Sequence, residues 1–182
     1  MIGNAETRAW ASYYRREWWP LLKAAITMVR EGFGMGWLRT VRGAYYVLRA
    51  NQKWAPYPDN DPAAAQAYMK RFYTLVLRDS DLRLDPDEAS QREVDWWRRH
   101  REHQYGVVGE DEPLTESLVG LYSYVYGVPA GTVREAARHR VLAMRHSDAW
   151  VKAGCHLDDP LLAQEREALL ASYRSLRVAV GP

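Results

Sequence analysis

Apolar residues recur at spacings of three and four along nearly the whole chain, and no stretch alternates apolar and polar between hairpin turns. The pattern predicts seven helical segments. The first opens near Asn4 as an N-cap and aligns Trp10, Tyr14, Trp18, Leu21, Ala25 and Met28. Pro20 lacks an amide donor and clashes one turn back, so this helix is expected to kink or restart there. Gly32-Phe33-Gly34-Met35-Gly36 ends it. A second segment aligns Trp37, Val41, Ala44 or Tyr45, and Leu48, then yields to a loop holding Pro56, Pro58 and Pro62.

Asp61-Pro62 has the order of an N-cap followed by a first-turn proline, and Ala65, Tyr68, Met69, Phe72, Leu75 and Val76 form the stripe behind it. Asp85-Pro86-Asp87-Glu88 repeats that start and opens a fourth helix reaching about Gln104. Its apolar content is only Ala89, Val94, Trp96 and Trp97, so its inward face must take polar company. The fifth, from Leu114 to Tyr126, is apolar over most of its surface and is expected to be the central helix. Thr132 and Glu135 have capping-box spacing and predict the start of a sixth that runs to Gly154. Asp158-Asp159-Pro160 begins the seventh, with Leu162, Leu169, Tyr173, Leu176 and Val180 facing inward.

The expected fold is therefore all-α: an irregular bundle of six to eight helices in which residues 1–55 form a basic, Trp-rich helical arm or cover and residues 62–182 the helical core. Composition and charge both change at the loop from Ala55 to Pro62, which marks the seam. A chain of 182 residues buries about 70% of its unfolded surface and can hold itself together by an ordinary core. The single Cys155 excludes an internal disulfide, no apolar run approaches the length of a membrane span, and the first residues lack the unbroken apolar stretch of a secretory signal. These features point to a reducing, cytoplasmic setting.

Only Lys23, Lys53, Lys70 and Lys152 are lysines among 25 basic residues. With abundant Ala, this is the bias of a G+C-rich bacterial genome, so Arg frequency alone carries no nucleic-acid signal. Residues 1–55 hold nine basic groups against three acidic ones, along with five of the eight Trp. Arg and aromatic residues are the types enriched at the centres of protein interfaces. The favoured function is accordingly a non-catalytic accessory module that binds a partner protein, or a second copy of itself, through Trp10, Arg15, Arg16, Trp18, Trp19 and Trp37. The same residues suit the surface of an anionic membrane, with Trp at the boundary and Arg toward phosphates. Nucleic acid is disfavoured, because Tyr13-Tyr14-Arg15-Arg16 and Trp96-Trp97-Arg98-Arg99 accompany no recognisable reading module.

The alternative is a small metal-, haem- or ligand-binding enzyme. Glu135, His139 and His146 fall within about 40° of one another on a helical projection, flanked by Leu142 and Trp150 and separate from an Arg stripe. Glu93, His100 and His103 share one side of the fourth helix. If the two sides met, His100, His103, His139 and His146 could ligate iron, copper or zinc, and His100, His139, His146 and Glu93 could act in general acid/base chemistry. The Glu-x-x-His spacing of carboxylate-bridged dimetal bundles is missing, and the sequence specifies no cofactor.

Three further patterns have plainer readings. Gly32-x-Gly34-x-Gly36 follows a helix rather than a strand, so it reads as a helix end and not a phosphate loop. In Asp79-x-Asp81-x-x-x-Asp85-x-Asp87, Leu84 and Ser90 stand where a calcium loop needs Gly and Glu, leaving helix punctuation. Cys155-His156 sits at a helix terminus, where adjacent side chains seldom meet as an activated pair.

Overall fold

The computed structural model describes residues 2–78, 80–107 and 109–181. It is all-helical, with 79% of residues in eight helices and no strand among the described residues. None of the helices in the described residues is long and apolar enough to cross a membrane. The chain divides into two compact units, Met1–Val94 and Asp95–Pro182.

The first unit contains α1 (Ile2–Tyr14), α2 (Trp18–Phe33), α3 (Trp37–Trp54), α4 (Pro62–Val76) and the first half of α5 (Pro86–Gln104). Successive helices pack in order, α1 on α2, α2 on α3 and α3 on α4. The expected first helix is thus two. Tyr14 is followed by a closing turn in which Arg16 adopts the left-handed conformation at φ 60°, its N–H donates to Tyr13 O at 3.1 Å, and the Glu17 N–H reaches back to Ser12 O at 2.8 Å. This pair of bonds usually employs Gly, and Arg16 fills the position here. Pro20 then falls in the first turn of α2, where a missing amide forfeits no intrahelical bond.

The proline-rich loop from Ala55 to Pro62 lies inside the first unit, and α3 packs on α4 across it. The buried face of α3 is Thr40, Gly43, Ala44 and Leu48, so that of the expected stripe Ala44 and Leu48 lie inside, Val41 is half-buried, and Trp37 and Tyr45 are exposed. Small side chains let the helices approach: a Cβ on Gly43 would stand 3.3 Å from Val29 Cγ1 and 3.5 Å from Phe72 Cδ2. The α4 stripe is as expected, with Ala65, Met69, Phe72, Leu75 and Val76 buried, although Tyr73 replaces Tyr68 inside. Asp61 caps α4 by accepting from the Ala64 amide at 2.9 Å, and Asp85 caps α5 by accepting from Asp87 and Glu88.

The second unit holds the end of α5, then α6 (Glu112–Tyr126), α7 (Ala130–Lys152) and α8 (Pro160–Val180). Here α7, not α6, is the central helix, because it packs against both α6 and α8. It buries Val133, Ala136, Ala137, Val141, Met144 and Trp150, while Leu142 lies exposed. The capping box at Thr132 does not form. Pro129 already supplies the extended residue that starts α7, so Thr132 lies within the first turn and its hydroxyl donates to Pro129 O at 2.7 Å. Asp159 caps α8, whose buried face is Glu165, Ala168, Leu169, Ser172 and Leu176; Val180, expected inward, is exposed. The Ser172 hydroxyl donates to Ala136 O at 2.7 Å and ties α8 to α7.

Candidate functional site

In the first unit, α2 buries Leu21, Ala24, Ala25 and Val29. At 100° per residue the opposite side carries Trp19, Lys23 and Arg30 within about 40° of one another, a stripe about 16 Å long. All three are exposed. Lys23 Nζ lies 5.4 Å from the Trp19 ring centroid, and the Arg30 guanidinium lies 5.9 Å from the ring of Trp37 at the start of α3. Trp19 is 65% exposed and Trp37 59%, and Leu38 beside it is 84% exposed.

The other residues singled out in the N-terminal third have different surroundings. Trp10 and Trp18 are partly buried and pack on the cluster of Ala9, Leu21, Ala24 and Leu48. Arg15 pairs with Glu17 at 2.8 Å. Arg16 is placed by its left-handed turn so that it donates to Ala55 O at 2.7 Å, which fastens the α1 to α2 turn to the end of α3, and its guanidinium stacks on Tyr13 and Trp18. Sequence reasoning missed Lys23 and Arg30, whose signal is their spacing from Trp19 on the side opposite the apolar stripe.

In the second unit, the polar company of α5 is organised by Asp148 of α7. His100 Nε2 stands 3.2 Å from both Asp148 oxygens, and Gln104 Nε2 donates to Oδ1 at 2.8 Å. Asp148 is buried and His100 is mostly so. His103 Nε2 lies 3.0 Å from Asp111, which also accepts from Arg145 at 3.0 Å. His139 meets Glu135 at 3.5 Å one turn away, with Glu135 largely in solvent. His146 is half-buried; loss of water, and then the charge of Arg145, hold its imidazole below the ordinary value.

Each of three histidines thus has a different carboxylate. Among the described residues no three His, Cys, Asp or Glu side chains group as a metal ion requires, so His100, His103, His139 and His146 do not assemble the expected ligand set. Glu93 belongs to the first unit, where it accepts from the Tyr73 hydroxyl at 2.8 Å. Trp96 and Trp97 are buried edge to face while Arg98 is exposed and pairs with Asp95. Of the remaining patterns, Gly34 is the left-handed cap of α2. Asp79 of the acidic run lies outside the described residues, and Asp87 pairs with Lys70 at 3.0 Å. Cys155 follows α7 at φ 60°, and the carbonyl of His156 accepts from the Trp150 indole at 2.7 Å.

Comparison with known proteins finds no matching family, no similar curated protein and no similar solved structure.

Proposed function

We propose that this chain is a helical interaction module that binds an acidic partner protein through the α2 stripe of Trp19, Lys23 and Arg30 and the adjoining Trp37. The observation that carries this reading is the exposure of two indoles, 65% and 59%, each with a cation over its ring. A Trp side chain offers about 200 Å² for burial, so each leaves on the order of 3 kcal/mol of transfer free energy unclaimed in the isolated chain. A partner that covers the stripe recovers it, and acidic side chains meet Lys23 and Arg30. Aromatic anchors flanked by Arg are the usual centre of a protein interface. The lone Cys155 fits a reducing, cytoplasmic setting for such a module.

The histidine pairings favour a positional role over catalysis, because the carboxylate that faces His100 is also engaged by Gln104. The test of the binding role is to isolate the full chain from its own cells by an affinity tag and size it by sedimentation. A stoichiometric complex that is lost when Trp19→Ala and Trp37→Ala are combined supports the reading. A chain that sediments alone, or a complex that survives both substitutions, contradicts it.

A further inference from the structure

A cleft of about 410 Å³ lies along the α3 and α4 pair, on residues that the α2 stripe does not use. Its wall on α4 is one continuous helical face, Ala67, Lys70, Arg71, Thr74 and Leu75, followed by Arg78 just beyond the helix end; α3 contributes Arg42 and Tyr46 one turn apart. The volume is that of a small-molecule site. Among the described residues, four of the eight lining side chains are cationic and none is acidic. Among the described residues, Lys70 alone of the four has a carboxylate within ion-pair distance, that of Asp87 at 3.0 Å. Arg42 is oriented by its Nε, which donates to the Tyr46 hydroxyl at 2.7 Å, and Thr74 donates to Lys70 O at 2.8 Å.

We infer that this cleft is a binding site for a small organic phosphate, with Arg42, Lys70, Arg71 and Arg78 holding the phosphate oxygens and Tyr46, Ala67 and Leu75 receiving the apolar body of the ligand. Four cations along one cleft, with one carboxylate in ion-pair distance among the described residues, repel one another, and an anion of two to three charges relieves that repulsion. The guanidinium fork matches phosphate oxygens two at a time. Apolar residues in the lining favour a ligand with an organic part over a bare ion. The four cations are confined to one stretch of two helices, and this favours a small molecule over a nucleic-acid strand, which needs a longer cationic track. One turn from the cleft, a hydrogen bond from Arg49, with the charges of Arg49, Arg71 and Lys53 behind it, holds the Tyr68 hydroxyl below its ordinary value.

The experiment is calorimetric titration of the full chain with inorganic pyrophosphate and with phenyl phosphate, beside vesicles containing phosphatidic acid and a single-stranded oligonucleotide. Saturable binding of phenyl phosphate and pyrophosphate is expected. Arg71→Gln and Arg78→Gln should each weaken it ten- to a hundredfold, the loss of one charge-assisted contact, while Arg138→Gln on α7 stays within twofold. No saturation by either small anion overturns the proposal, as does equal binding by the Arg71 and Arg78 variants. Tight binding confined to vesicles assigns the cleft to a lipid headgroup, and tight binding confined to the oligonucleotide assigns it to nucleic acid; either result overturns the small-molecule site. None of these outcomes depends on Trp19 or Trp37, so failure here leaves the protein-binding reading standing.

Discussion

The imidazole of His100 faces the carboxylate of Asp148 with Nε2 3.2 Å from both oxygens, and Gln104 shares that carboxylate at 2.8 Å. A buried acid with two donors on one neighbouring helix is a structural tie between α5 and α7 within the second unit. Asp148→Ala leaves His100 and Gln104 without it and should cost about 1–3 kcal/mol, a drop of roughly 2–10 °C in Tm for a chain of this size. Asp148→Asn, which can still accept from Gln104, should lose less. A thermal melt that separates neither variant from the natural chain would show that the tie is not made.

His146 makes stability depend on pH in a definite direction. Its folded imidazole titrates below the ordinary 6.5 because it is shed of water and lies near Arg145. The unfolded chain therefore binds the proton first, so this group's contribution is present above 6.5 and is lost as pH falls through the folded value. His146→Gln should flatten the decline of unfolding free energy between neutrality and pH 5, measured by urea titration. An unchanged slope would place the sensitivity elsewhere.

Gly43 tests the close approach of α2, α3 and α4. Alanine replaces an unfavourable helical glycine, a gain of about 1 kcal/mol, but its Cβ meets Val29 Cγ1 at 3.3 Å and Met35 Cε at 3.4 Å, so the two effects should nearly cancel. Gly43→Leu has no such room and should destabilise by about 1–3 kcal/mol through overpacking. A stable leucine variant would mean that the three helices are further apart.

Removal of residues 1–53 separates the two ways of dividing the chain. An N-terminal arm over a complete core would leave a soluble remainder. Packing of α3 on α4 instead means that this cut bares Ala65, Met69 and Phe72. The truncated chain should aggregate and bind a hydrophobic dye; a monodisperse, dye-free product would restore the arm.

The helical class and most helix starts were legible because caps and apolar spacing agree: Asp61, Asp85 and Asp159 all cap as their sequences suggest. The break at Arg16 was not, since a left-handed arginine looks like any other. The buried face of α3 was legible only at Ala44 and Leu48: Thr40 and Gly43 pack by smallness, whereas the exposed Trp37 draws the eye by hydrophobicity. Asp148 sits four residues after Met144 on the buried side of α7, so its signal was an acid on an apolar stripe. Which carboxylate His103 and His100 meet depends on partners 8 and 48 residues further along the sequence, and no spacing within one helix encodes those.

If the α2 stripe is a protein interface, site-specific photo-crosslinking in the protein's own cells reads the partner out at the stripe itself. A photoreactive aromatic residue would replace Trp19 or Trp37 and, as controls, the exposed Leu157 or Val178 of the second unit. One discrete adduct is expected from positions 19 and 37, formed with a protein of acidic surface, and none from positions 157 and 178. Equal labelling at all four positions, no adduct at 19 and 37, or an adduct only with lipid would contradict it.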